Sequence, residues 1–426
     1  MSDALCKRAV LAALSYTPDF SDLRIFPGLD KRSGQDLLRW LDWSGLALGF
    51  LRQLQNQNAT KQIPEEWRDA LEQRQARNLE RTRDMLEEAR RINAAFLGYG
   101  VTAASLKGLT LVPDFCEDLA VRHQVDLDFL VAPVDVCVAA YALRSCGYAA
   151  AHLSESGETC FRTPSQHIPS PNDDLYLPQR QRQVDLHISI WEPCPWLPVK
   201  TPADCLEYGR PQKMCGAEFF GLSLEDKFLL QVLHAFRHSF RSWIRISWLL
   251  EIAKCMEKHR GDADLWKRVI LRAGPTRLTR SIFAFVLGLV ARLFHTPIPL
   301  PLRMWTAEAT TVSVEAWLEN FACDWAIADW PGSLNNLFLT REFIPDPILR
   351  RQYWQSRLFP KRQHASLGAV EITTPKNFFR LQAARLGYVA NRATAHAKDL
   401  ASLPWQQLRW KRVLESSRRF SVDTNC

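Results

Sequence analysis

The sequence predicts an α+β fold, with a small mixed β-sheet core over residues 101–200, N-terminal helices before it and a large C-terminal helical region after it. Three observations carry this. Apolar residues recur at helical period before residue 100, polar and apolar residues alternate in short segments between 101 and 188, and the helical period returns after Pro202. With 426 residues and 47% hydrophobic content, the chain has room for two or three domains with sizeable cores. The expected divisions are 1–100, 101–200, 201–340 and 341–426.

Residues 1–60 hold helical patterns, most clearly from Gly34 to Leu51. Pro64-Glu65-Glu66 opens the next helix with proline first and acids in the first turn. That helix continues to Leu97 and carries Glu/Arg pairs at helical spacing, which predicts an exposed brace stopped by Gly98-Tyr99-Gly100. Strands are expected at Val101–Leu106 and Gln124–Val131, then a helix from Pro133 that ends at Gly147. A strand at Tyr148–Leu153, a hairpin around Thr159–Thr163 and a strand from Gln183 to Ile188 complete the unit. Beyond Pro202 only helices are expected, punctuated by Pro297, Pro299, Pro301, Pro331, Pro345 and Pro347.

The chemistry concentrates in Val125-Asp126-Leu127-Asp128-Phe129-Leu130-Val131. Side chains alternate along a strand, so Asp126 and Asp128 share one face and Val125, Leu127 and Phe129 the other. Neighbouring carboxylates on a buried strand repel each other and resist desolvation unless a cation sits between them. A hard divalent ion such as Mg²⁺ favours carboxylate oxygen. Gln183-Val184-Asp185-Leu186-His187-Ile188 repeats the pattern with a third carboxylate, Asp185. The bland alternative is a half-buried strand whose polar face meets water. Just upstream, Leu106-Lys107-Gly108 reads as a strand running into a glycine turn, and Arg122 precedes Asp126 by four residues. These are groups suited to phosphate beside groups suited to metal.

Leu106-Lys107-Gly108, Arg122, the Asp126-x-Asp128 strand and Val184-Asp185-Leu186-His187 together resemble the uncharacterised nucleotidyltransferase family of the DNA polymerase β superfamily, over roughly residues 70–300. The segments Leu230–His238 and Trp243–Ala253 are family-like as well. Two positions depart from the pattern: Lys107-Gly108 replaces the usual Gly-Ser turn, and Glu251 stands where an aspartate is expected.

The resemblance implies a metal-dependent nucleotidyltransferase that moves a nucleoside monophosphate from an NTP, ATP among them, to a hydroxyl or phosphate acceptor. That acceptor is a small molecule, a peptide or protein, or RNA. It further implies two Mg²⁺ or Mn²⁺ ions, with Asp126 and Asp128 bridging both and Asp185 on the nucleophile side. Lys107 and Gly108 fall where the nucleotide phosphates bind. Arg122 either reaches a phosphate or holds the aspartates by a salt bridge. His187 shares a face with Asp185, and either orients it, contacts the acceptor or is simply packed. His234 and His238 lie at i, i+4 but lack the glutamate of the zinc protease motif, so a lining or structural role is expected. Arg237, Arg241 and Arg245 are expected along one helix as a cationic stripe that either holds an anionic substrate or faces water. The competing reading is a nucleotide- or RNA-binding protein that keeps the fold without turnover.

Eleven cysteines fall at irregular intervals without a Cys-x-x-Cys pair, which argues against a disulfide framework or a zinc finger. No export signal is expected, and the apolar run Ser281–Ala291 is too short to span a bilayer, so a cytoplasmic protein without a membrane partner is predicted. The net charge of +8 is uneven: from Arg341 onward there are 16 Lys plus Arg against 6 Asp plus Glu. This basic region suits RNA or another acidic partner, or equally a set of solvated helix faces.

Overall fold

The computed structural model describes residues 3–153, 159–163, 175–177, 182–191, 194, 196–214, 216–241, 244–329, 333–358 and 375–423. Its element order is that of an α+β protein. Helices α1 (Asp3–Ala13), α2 (Lys31–Ser44), α3 (Ala47–Asn56) and α4 (Glu65–Gly98) lead in. Asp30 caps α2 by accepting from the backbone N–H groups of Arg32 and Ser33, and Gly45 ends it at φ 74°, a left-handed turn that glycine makes without strain.

Helix α4 spans 34 residues, about 51 Å at 1.5 Å per residue. Pairs such as Arg68–Glu65 and Arg90–Glu87 lie exposed, as expected of a brace. Its opposite face is buried, however, and includes Asn78 and Arg81. Asn78 donates to the carbonyl oxygens of Ala120 and Arg122, and Arg81 donates to those of Gln124 and Leu177. The helix therefore grips the backbone that leads into the aspartate strand.

The sheet has seven strands: β1 (Ala103–Leu106), β2 (Asp126–Val131), β3 (Ala149–Leu153), β4 (Thr159–Arg162), β5 (Gln183–His187), β6 (Arg210–Met214) and β7 (Ala217–Gly221), in the order β3-β4-β5-β2-β1-β7-β6. Strands β2 and β5 run parallel, and β1 is antiparallel to β2. Helix α5 (Val136–Ser145) joins β2 to β3. One sheet face, with Leu127, Phe129, Val131, Val184 and Leu186, packs on Met85, Ala89, Ile92 and Phe96 of α4 and on Ala139 and Leu143 of α5. On the other face Ala104, Leu106 and Leu130 join the larger core of the helical body.

The expectation of helix alone beyond Pro202 needs correction, because β6 and β7 extend the sheet and β7 pairs in parallel with β1. Strand β6 reads Arg210-Pro211-Gln212-Lys213-Met214, too polar and proline-broken to signal a strand. It lies at the sheet edge, where proline and charge are tolerated and discourage further pairing.

The helical body comprises α6 (Leu224–Arg241), α7 (Ile246–Lys258), α8 (Ala263–Ala273), α9 (Arg277–Phe294), α10 (Leu300–Ala307), α11 (Val312–Asn320), α12 (Ala322–Ala326), α13 (Thr340–Phe343), α14 (Pro347–Leu358) and α15 (Pro375–Asp423). The run Ser281–Ala291 lies inside α9 and is buried as helix core. The stripe of Arg237, Arg241 and Arg245 along one helix is not formed, because α6 stops at Arg241 and Arg245 is the extended residue before α7. Ile244 and Ile246 are both buried, and residues two apart point to nearly opposite sides of a helix. An extended step lets both enter the core.

The basic C-terminal segment is chiefly α15. Its later part docks through Trp410, stacked on Phe338 at 5.8 Å, and Arg409, paired with Asp324. Trp405 is exposed on the same helix, while Tyr353 of α14 is buried. Among the described residues no helix is long and apolar enough to cross a membrane.

Candidate active site

Strand register assembles the site. Arg162, Gln183 and Asp126 form one row across β4, β5 and β2, and Cys160, Asp185, Asp128 and Leu106 form the next row on the same face. The sequence separates Asp128 from Asp185 by a helix, a hairpin and a long connection, yet the two are direct neighbours. Each of Asp126, Asp128 and Asp185 offers a carboxylate oxygen within 4.8 Å of the other two. Among the described residues this is the one group of three or more His, Cys, Asp or Glu placed to hold an ion.

The three carboxylates are not equivalent. Asp128 accepts from Lys107 Nζ at 3.3 Å and is hydrogen-bonded to His187 Nε2 at 2.9 Å. Burial alone would raise its pKa, but Lys107 and His187 outweigh burial and hold the carboxyl well below the usual range. Asp126 is raised instead, first by burial and then by the charge of Asp128. Among the described residues no donor hydrogen-bonds its carboxylate. Asp185 accepts from Gln183 Nε2 at 2.7 Å on both oxygens. A buried carboxylate beside a partly exposed, under-satisfied one, with a third carboxylate held in place, is a donor set that fits a hard divalent cation.

Lys107 reaches Asp128 from the turn at the end of β1. Its φ of 51° is uncommon for a residue with a side chain. Thr110 latches that turn, since its backbone N–H and its Oγ1 both donate to the Lys107 carbonyl, at 3.0 and 2.9 Å. Lys227 Nζ in turn holds the Thr110 carbonyl at 2.8 Å. Gly108 follows at φ 46°, and a Cβ there would meet the Gln124 amide at 2.1 Å. Gln124 Nε2 donates to the Asp126 carbonyl, so the glycine turn is packed directly against the start of the aspartate strand.

The remaining predicted residues fall into two groups. Arg122 donates through Nε to Glu251 at 2.8 Å, and Gln231 holds the other Glu251 oxygen at 2.8 Å. Glu251 is thus the buried partner of Arg122. The bond seen for His187 goes across the strands to Asp128, not to the Asp185 of its own strand that the spacing suggested. His234 packs edge-on against Trp248 at 4.3 Å and tilted against His238 at 4.5 Å. Burial, then the charges of Lys107, His238, Arg122 and His187, hold it neutral well below its ordinary 6.5. Arg237 lies over the Trp191 ring at 5.8 Å. Arg241 ends α6, and its side chain lies outside the described residues.

Sequence reasoning missed Gln183, Arg162, Asn78 and Arg81. Gln183 had a signal: it opens the Asp185 strand two residues early and must share its face. The other three act through pairings that no local pattern announces.

No curated protein and no solved structure matches the chain at a significant level. A family model does match, over residues 30–295, which is more than half of the chain and contains the sheet, the three aspartates and helices α6 and α7. The chain belongs to the uncharacterised nucleotidyltransferase family.

Proposed function

We propose that the protein is a metal-dependent nucleotidyltransferase that transfers a nucleoside monophosphate from an NTP to a hydroxyl or phosphate acceptor. One observation carries this reading: three carboxylates converge on one sheet face in a chain of this family, and among the described residues Asp126 accepts no hydrogen bond on its carboxylate. Asp126 and Asp128 would hold two Mg²⁺ or Mn²⁺ ions between them, with Asp185 completing the nucleophile side. Ions bound there supply activation of the attacking oxygen and charge neutralisation on the leaving pyrophosphate.

The chain's own residues do the positioning. Lys107 keeps Asp128 ionised and sets a point charge at the strand end where the triphosphate would enter. Gly108 lets that turn approach closely, while Thr110 and Lys227 hold it in shape. Arg122, anchored by Glu251, adds positive potential behind Asp126. His187 fixes Asp128, and neutral His234 lines the same region without adding charge. In this reading the rate comes from orientation and electrostatics, with no covalent enzyme intermediate.

The acceptor class is a small molecule, a peptide or protein, or RNA, and the basic C-terminal helix α15 would favour an acidic one. The test is transfer of label from α-phosphate-labelled NTPs, with Mg²⁺ or Mn²⁺, to total RNA or to RNase-treated lysate. Label that depends on the intact aspartates supports the proposal, and the labelled fraction names the acceptor class. Metal-dependent NTP binding with no transfer to any fraction would favour a non-catalytic nucleotide-binding protein.

A further inference from the structure

Asp185 is held by a relay that the motif does not include. Gln183 Nε2 lies 2.7 Å from each oxygen of Asp185, and Gln183 Oε1 accepts from Arg162, through Nε at 3.1 Å and through a second, closer guanidinium contact. Arg162 and Gln183 are cross-strand partners on β4 and β5, and Arg162 is only 8% exposed. A guanidinium has donors alone, so it accepts nothing from an amide and fixes which end of Gln183 faces it. With Oε1 turned to Arg162, the amide N–H donors must face Asp185. A neutral amide thus stands between the buried cation and the third carboxylate. Were the guanidinium on Asp185 directly, it would take both oxygens in a bidentate pair and compete with any metal ion. The amide orients the carboxylate without setting a fixed positive charge against it.

We infer that Gln183 and Arg162 are positioning residues for Asp185: Arg162 sets the Gln183 amide, and Gln183 sets the third carboxylate for a divalent ion. This rests on the reading of the three aspartates as a metal site, and it adds two residues that the motif does not include. Partners one step removed from a metal ion hold ligand geometry, and their loss commonly weakens metal binding by about 10- to 100-fold.

The experiment is Mn²⁺ binding to the full chain, followed by the electron paramagnetic resonance of free and bound ion, with urea unfolding in EDTA alongside. Gln183→Met keeps the length of the side chain and removes the amide. Its Mn²⁺ affinity should fall about tenfold or more. Arg162→Lys retains a donor to Gln183 Oε1 and should keep most of the affinity, whereas Arg162→Met should approach Gln183→Met. The bound-ion spectrum should also broaden in Gln183→Met, a change that a purely structural role would not produce in a protein that still unfolds cooperatively. If wild type binds Mn²⁺, Asp126→Asn/Asp128→Asn does not, and Gln183→Met binds as wild type does, the relay is refuted and the metal site stands. If wild type binds no Mn²⁺, both fall together.

Discussion

Two buried acidic clusters lie close together in this molecule and are built on opposite terms. In the first, Glu251 meets Arg122 on one oxygen and Gln231 on the other, so one negative charge is matched by one positive charge and both oxygens are satisfied. In the second, three aspartates share one patch of sheet; Lys107 and His187 hydrogen-bond Asp128, while Lys107, Arg122 and Arg245 act on Asp126 only through their charge. The balanced cluster joins α7 to the loop before β2 and has the form of a structural tie. In the aspartate cluster burial and the charge of Asp128 still outweigh those cations at Asp126, whose pKa is raised. A carboxylate held at that cost, beside two others, leaves room for a cation to complete the group. Both clusters contain buried carboxylates, and the charge balance tells them apart.

The sharpest way to break this comparison is to neutralise each cluster in turn. Asp126→Asn/Asp128→Asn should reduce nucleotidyl transfer by at least about 10³-fold, worth about 4 kcal/mol, while the protein still unfolds cooperatively. Transfer assays beside circular dichroism melts decide it. A variant that fails to fold, or one that keeps its activity, would mean that the aspartates belong to the structural class. Glu251→Ala should do the reverse, costing about 3–4 kcal/mol in urea unfolding because it leaves Arg122 buried without its anion. Mn²⁺ binding at the aspartates should survive in whatever fraction remains folded.

The next effect is smaller and concerns the cation itself. Added Mg²⁺ at about 100 times its dissociation constant should stabilise the native state by about 2.7 kcal/mol, visible as a rise in melting temperature. The rise should be absent in Asp126→Asn/Asp128→Asn and intact in a folded Glu251 variant such as Glu251→Gln. An equal rise in both would show that the ion acts elsewhere.

How much of this was legible beforehand follows from the range of the interactions. The aspartates could be read because strand alternation is local: two residues apart means the same face, whatever the rest of the chain does. Lys107 and Gly108 were legible for a similar reason, as a turn directly abutting a strand. Strand β6 was not, because an edge strand carries little of the apolar alternation that marks a buried one. The break between Arg241 and Arg245 was hidden because the arginine spacing fits a continuous helix, whereas Arg245 is the extended residue that precedes α7. The partner of Arg122 lies 129 residues away, and the relay from Arg162 to Asp185 exists only once β4 has paired with β5. Pairings of that kind are decided by the assembled sheet and leave no trace in spacing.

The smallest predicted effect asks whether the aspartate cluster is under electrostatic strain when no ion is bound. The Asp126 carboxyl is raised above its ordinary 3.8, first by burial and then by Asp128. A group whose pKa is higher in the native than in the unfolded chain contributes its stability in full below the unfolded value, and loses it as the pH rises through the native one. At neutral pH, in EDTA, wild type therefore carries the cost of an ionised Asp126. Asp126→Asn should remove that cost, raising stability by about 1 kcal/mol and flattening the pH dependence just above the carboxylate range. Asp128 has the opposite sign, since its lowered pKa gives stability that is lost only as the pH falls through the native value, so the acid limb should persist in the variant. Urea titrations across that range separate the two. Equal or lower stability of Asp126→Asn at neutral pH would mean that Asp126 already has a compensating partner, and the contrast with Glu251 would lose its basis. A gain that Mg²⁺ reverses, by stabilising wild type past the variant, would show that the fold tolerates Asp126 for the ion it holds.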